Sequence, residues 1–544
     1  MERSNRMSEQ AKGFERVEPP DTFGRRKYFT PFKSDEITKS NVADIVHTYF
    51  EAFSAEIPSI MFLHNYFKGK QPILGKERDD LANSNCKIVI NLARTASKNI
   101  KAAFIGEETQ YLPIESNDET ADKMQKDALK ALLTYYRQIE EPAHNSRIEG
   151  DRGKYGYAYE FVKRQANGKI KVKRLLPFKT SVVFSEDDED EMIFAYNFYD
   201  RLDESGKPIG KKFTVYTAFK TFVYDTDSGG NLEGNVAESD NPTGIIPVVM
   251  YPNNDELMGD FEPAIPILDA INQTYSNRID NIDDIVEAFL VFVNTEIYDQ
   301  KVDDKGNITY DNAKLIAMKK NKAIEIRGEA GLPADVKHVV NKLDQNNIQV
   351  VCDNLVRLAY VVMGVPDGVN SKSNGGSDSA EADNTREGFK QFEQLLNDKE
   401  RFFKKSLKQR ISIIKALCKA DEKSMLGKVI VENLDIRFIR SKSLNNQSDA
   451  QIIQILRSTG LFAPDTVIAL SNLCESPQEE IDKIMATYKK MKEEGTITDK
   501  QYKMLVVSFF MPNADLTALF SEEQKTETVQ TSKGVAKNAE GNRV

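Results

Sequence analysis

Residues 241–293 read NPTGIIPVVMYPNNDELMGDFEPAIPILDAINQTYSNRIDNIDDIVEAFLVFV. Prolines at 242, 247 and 252 punctuate the first half, and each biases the residue before it towards extended backbone. That half is therefore mostly extended. Pro263 then suits the first turn of a helix. From there Ile265, Leu268, Tyr275, Ile279, Ile282, Val286, Phe289 and Val293 recur at alternating steps of three and four, with Asn272 filling one step. The spacing predicts a helix of about thirty residues, roughly 45 Å long, with one narrow apolar stripe. Its opposite face carries Asp269, Asp280, Asp283, Asp284 and Glu287.

Downstream, residues 294–344 read as a short β-rich insertion with a turn at 304–307. A second helix follows, with Ile348, Val351, Leu355, Leu358 and Val362 in the same three-four pattern, and Gly364-Val365-Pro366 ends it. Residues 367–379, DGVNSKSNGGSDS, form a low-complexity loop. Asp378 and Glu381 then fit a capping box for a third helix, which runs to about Cys418 and spans on the order of 60 Å. A helical segment is expected over 448–488, and 522–544 is polar, with the composition of a disordered end.

Upstream, 41–53, 85–104 and 128–138 read as amphipathic helices. From Tyr155 the period changes to two. Tyr157, Tyr159 and Phe161 alternate, and Asn167-Gly168 turns the chain into a second strand from Ile170. Further short strands follow to Tyr224. Two long helices thus bracket an excursion of about fifty residues. Their stripes suit an internal bundle or packing between copies, and periodicity leaves both open.

The 544 residues suffice for several cores, and 40% hydrophobic with 29% charged residues is a globular balance. The longest apolar runs are too short to cross a bilayer, and the first residues lack the features of a signal peptide. Cys86, Cys352, Cys418 and Cys474 form no CxxC pair and read as reduced thiols of a cytoplasmic chain. The net charge of −10 lacks the basic signature of tight DNA binding. Such a chain avoids nucleic acid, or touches DNA without holding it. Phosphate-loop, HExxH, GxSxG and GxGxxG motifs are all missing, and the four histidines have no ligand spacing. The acidic run 186–191 (EDDEDE) reads as a solvated loop rather than a metal site. No catalytic residues, metal or cofactors are expected.

The 241–293 block resembles the segment entering the stem of portal proteins of the siphophage type, from long-tailed double-stranded-DNA phages. Residues 66–73 (YFKGKQPI), 91–106 (NLARTASKNIKAAFIG), 153–162 (GKYGYAYEFV) and 364–367 (GVPD) support the resemblance in the family's order, over roughly 40–490. One departure is the stretch GGSDSAEAD, where the family often shows a Ser-Gly-apolar signature. The resemblance implies an α+β, predominantly helical subunit of a ring, usually of twelve copies, at one capsid vertex of the virion. It divides the chain into a polar tail (1–37), a wing (38–255 with 380–425) and a first stem helix (256–293). A β-rich clip (294–344), a second stem helix (345–364), a tunnel loop (365–379), a helical crown (426–495) and a C-terminal tail (496–544) follow. Implied partners are the chain itself, double-stranded DNA without sequence specificity, the terminase large subunit, a head-completion adaptor, and major capsid and scaffold proteins, with no membrane. The alternative is a structural connector that conducts no DNA; an enzyme ranks third.

Within that frame, carboxylates lining a channel would deny phosphates a binding well and lower friction. Asp280, Asp283, Asp284 and Glu287 are the candidates. Lys372, between Asn370, Ser371 and Ser373, is the one charge of the loop between its flanking aspartates and would touch phosphates transiently. Lys314, Lys319, Lys320 and Lys322 of the clip would meet DNA or a partner. Ile279, Ile282, Val286, Phe289, Leu355 and Leu358 would pack the stem.

Overall fold

The structure, a computed structural model, describes residues 23–78, 84–114, 118–165, 167–286, 289–293, 299–302, 308–311, 335–339, 345–366, 380–419, 421, 424–440, 454–458, 464, 467 and 477–511. The elements, in chain order, begin with strand β1 (Tyr28–Thr30) and helices α1 (Val42–Phe67) and α2 (Leu92–Ile105), then β2 (Thr109–Pro113). Helices α3 (Glu119–Gln138) and α4 (Glu141–Tyr155) lead into β3 (Tyr157–Arg164), β4 (Ile170–Leu175), β5 (Thr180–Ser185) and β6 (Met192–Leu202). Strands β7 (Pro208–Thr217), β8 (Lys220–Asp227), β9 (Leu232–Asp240) and β10 (Val248–Pro252) precede α5 (Ile265–Val286). Short strands β11 (Phe289–Val293), β12 (Asp299–Val302), β13 (Ile308–Asp311) and β14 (Asp335–Val339) separate α5 from α6 (Gln345–Val362). Then come α7 (Ala380–Cys418), β15 (Leu434–Phe438), α8 (Pro477–Glu493) and α9 (Asp499–Phe510).

The chain divides into two compact units, Met1–Phe104 with Pro113–Leu434, and Ile105–Leu112 with Asp435–Val544. In the first, six strands run in the order β1-β5-β6-β7-β8-β9 and three in the order β10-β3-β4. The core of the larger sheet is aromatic. Phe53 of α1 sets its ring edge-on against Tyr196 at 6.3 Å, and Phe50 does the same to Phe213 at 5.1 Å. Such pairs add roughly 0.5–1.5 kcal/mol beyond area burial. In the second unit, β2 pairs with β15, α8 packs on α9, and Thr498 opens α9 with a capping box closed by Gln501.

The C-terminal end of α4, from Gly153 to the cap Gly156, fixes where β10 leads into α5. Gly156 has φ +87°, and a Cβ there would lie 1.8 Å from the carbonyl oxygen of Leu257. Leu257 itself sits at φ +52°, a left-handed conformation rare for its type. The contact is held by Asn253 N–H on Gly156 O and Asp260 N–H on Gly153 O, both at 2.8 Å. Gly156→Ala should therefore destabilise the protein by about 3 kcal/mol, read as a fall in the thermal midpoint. A wild-type midpoint would show that the 257–260 loop is free to move away.

Several predicted elements differ. The first long helix ends at Val286, not Val293, because the β-branched and aromatic run 289–293 pairs antiparallel with 335–339. Residues 84–90 form neither helix nor strand, so the helix expected over 85–104 starts at Leu92. Helix α1 runs to Phe67, well past the expected 53. The C-terminal tail expected from 496 contains α9, while 522–544 and most of 448–476 lie outside the described residues.

Candidate functional site

Three arrangements in the first unit carry the geometry that bears on function. The first is a strap along α5. Peptide N–H groups of Cys86, Ile88 and Ile90 donate to Asp280 Oδ1 (2.7 Å), Ser276 Oγ (2.9 Å) and Asn272 Oδ1 (2.8 Å). Two residues of extended chain rise about 6.7 Å and four residues of helix about 6 Å, so the two periods stay in step over this length. Tyr66 Oη extends the row to Asp269 Oδ1 at 2.8 Å.

Asp280 is the anchor of the strap. It is 1% exposed, and Lys76 Nζ and Ser84 Oγ also bond its carboxylate, with Arg78 Nη1 at 3.7 Å. Burial pushes its pKa up, but Lys76, the Cys86 N–H and Ser84 outweigh it and hold the carboxyl below its ordinary value. This corrects the expectation that Asp280 lines a channel: its oxygens are consumed inside the protomer. The side chains of Asp283, Asp284 and Glu287, together with Lys314, Lys319, Lys320, Lys322, Asn370, Ser371, Lys372 and Ser373, lie outside the described residues.

The second arrangement is the double-faced helix α6. Cys352, Ala359, Tyr360 and Met363 are buried on one side. Arg278 Nη1 of α5 donates to Gln349 Oε1 at 2.5 Å, tying the two helices. Val350, Val351, Leu358, Val361 and Val362 are exposed. At about 100° per residue they fall within an arc of roughly 120°, a mainly apolar stripe away from the buried face that the exposed Asn347 and Asn354 interrupt. Ile279 and Ile282 of α5 are each 37% exposed and Leu355 is half-buried. The side chains of Val286 and Phe289 lie outside the described residues.

The third is a buried ionic network under α7. The Arg410 guanidinium meets both Glu160 oxygens at 2.7 Å, Asn145 Oδ1 at 2.9 Å and Glu141 Oε1 at 3.3 Å. Tyr251 Oη and His144 Nε2 complete the shell of Glu160. Burial raises the Glu160 pKa, yet Arg410 and His144 bring it down to about 2. Three turns earlier, Lys399 Nζ reaches Glu149 Oε1 (3.1 Å), Asp260 Oδ1 (2.8 Å) and Asn253 Oδ1. Sequence reading missed these groups. The available signal was a cation at core spacing among Phe403, Leu407, Ile411 and Ile414.

Cys352 and Cys418 are buried thiols, Cys86 is half-buried, and Cys474 lies outside the described residues. Among the described residues, no helix is long and apolar enough to cross a membrane, and no group of three His, Cys, Asp or Glu could hold a metal ion.

Over residues 46–494 the chain matches the family model described as phage portal protein, SPP1 Gp6-like. No curated protein matches it. Among 128 matching chains of solved structures is the neck of an empty GTA particle computed with C6 symmetry. It is 13% identical, covers 71% of this chain and 91% of its own, and has a TM-score of 0.37.

Proposed function

The chain belongs to the phage portal protein family, SPP1 Gp6-like, and from that premise we propose how it builds and lines a DNA conduit. The family is structural rather than enzymatic, and portal function carries ring assembly and association with the capsid. We propose a ring of twelve subunits at one capsid vertex, assembled in the host cytoplasm. In it α5 and α6 form the stem, 294–344 the clip, 365–379 the tunnel loop, the two sheets with α7 the wing, and 426–495 the crown. The clip docks the terminase large subunit and later the head-completion adaptor, while capsid and scaffold proteins meet the outside.

The observation that carries this reading is the second apolar face of α6. One stripe is spent inside the protomer, and the other is left to water unless a neighbouring copy covers it. Rings satisfy such a face at every subunit at once.

In the bore, Asp283, Asp284 and Glu287 repel phosphates, so DNA finds no deep well to stop in, and Lys372 supplies brief contacts at the constriction. The test is packaging by rings carrying Asp283→Ala/Asp284→Ala or Lys372→Ala. Translocation should slow in both, about twofold or more, and the carboxylate variant should become more salt-sensitive. Unchanged rates would remove the electrostatic lining and leave the ring standing.

A further inference from the structure

We propose that subunits of the ring are keyed to one another by charge. The acidic β5–β6 loop of one copy, 186–191, docks on the lysine-faced β3–β4 hairpin of the next. The proposal rests on ring assembly and goes beyond it in naming the contact.

The hairpin is unusual in what it leaves unbalanced. Lys163 and Lys171 stand directly opposite each other in the β3–β4 register, an arrangement that destabilises a sheet unless something neutralises it. Lys163, Lys169, Lys171 and Lys173 are all exposed. Among the described residues none of the four meets a carboxylate; Lys173 Nζ touches only Tyr199, at 3.4 Å from its hydroxyl. Nearby acids are already engaged. Asp200 holds Lys179 and Lys211, and Asp151 holds Arg174.

The acidic loop is the mirror case. All six residues of 186–191 are exposed, and among the described residues only Asp190 meets a cation, Lys405 at 2.6 Å. The two patches cannot neutralise each other within one subunit. Along β6, Tyr199 beside Lys173 is eight residues from Glu191, about 26 Å of strand. Along α7, Lys405 beside the loop is twelve residues from Leu417, whose carbonyl Arg164 of the hairpin contacts, about 18 Å of helix. Both separations exceed the screening length of roughly 8–10 Å at physiological salt.

A ring interface joins two different surfaces of the same chain, and it repeats at every subunit. A surplus of one sign at one end of a sheet and the opposite sign at the other is what such an interface can use. Duplex DNA would also suit the lysines. It would leave the acidic run without a counterpart and would approach a chain of net charge −10.

The test is charge reversal with rescue, read by sedimentation velocity at low and high salt. Lys163→Glu/Lys171→Glu and, separately, Asp187→Lys/Asp188→Lys should each raise the concentration for half-assembly by roughly tenfold at low salt. The combined quadruple variant should return towards wild type. Lys163→Gln/Lys171→Gln should give a smaller loss, and thermal melting should show all variants folded. Reversals that leave assembly unchanged, or a quadruple variant no better than either double, overturn the proposal while the ring stands. So does a lysine variant that assembles normally but loses binding of a short DNA duplex. A wild-type chain that never assembles removes the ring reading, and this contact with it.

Discussion

Val351→Asp/Leu358→Asp converts rings into folded monomers. The two side chains are 51% and 48% exposed in the protomer, so neither substitution disturbs the face on which Ala359, Tyr360 and Met363 are buried. The loss falls on the covered stripe alone. Each apolar side chain contributes about 1.5–3 kcal/mol when fully buried, and a carboxylate forced into the same place must be desolvated without a partner. Two such changes per interface should weaken assembly by at least about a hundredfold. Sedimentation velocity or negative-stain imaging reads the result directly: wild-type rings with a central hole, and variant monomers with an unchanged melting midpoint. Rings of normal size from the variant would show that another surface holds the assembly. A wild type that stays monomeric at every concentration would end the ring itself.

The second large effect lies inside the subunit. Arg410→Met removes the only described cation that contacts both oxygens of Glu160, and breaking a buried pair by deleting one partner costs about 3–5 kcal/mol. Adding Glu160→Gln to that background removes the stranded charge and should recover part of the loss. The pH dependence has a definite sign. The Glu160 carboxyl in the folded wild type sits at about 2, below its ordinary value, so its contribution is complete above about pH 5 and is lost as pH falls through about 2. Without Arg410 burial acts on that carboxyl with less opposition. The stability gap between wild type and Arg410→Met should therefore narrow as the medium is acidified from pH 5 towards 2. Chemical denaturation across that range measures it. A constant gap would mean that packing rather than charge sets the cost.

How much of this was legible beforehand depends on which physical signal a residue sends. The stripe Ile265–Ile282, the hairpin at Asn167-Gly168 and the long helix ending at Cys418 follow from period and turn chemistry, and the structure has them. The end of α5 was not legible, because an apolar run such as 289–293 satisfies helical and strand periods alike, and only the remote segment 335–339 decides between them. The strap was hidden for a different reason: its three repeating donors, at Cys86, Ile88 and Ile90, are main-chain groups, which no side-chain pattern reveals. Asp280 read as a solvent-facing acid by helical position, whereas Lys76 and Cys86, some two hundred residues earlier, claim it. Arg410 and Lys399 were obscured by their own chemistry, since a cation on a helix is ordinarily a surface residue. The stem-packing set was visible as periodicity; whether its partner was internal or a second copy was not.

The strap along α5 has a consequence for sequence tolerance. Its contribution to the α5 row is main-chain N–H at Cys86, Ile88 and Ile90, whereas α5 contributes the side chains of Asp280, Ser276 and Asn272. Mutational freedom is therefore lopsided. Along those three strap positions proline is the one residue barred by the loss of a donor, while on the helix each acceptor needs an oxygen of the right reach. The exposed position between them, Lys87, is a place where a dye or an affinity handle can be attached with the α5 hydrogen bonds left intact.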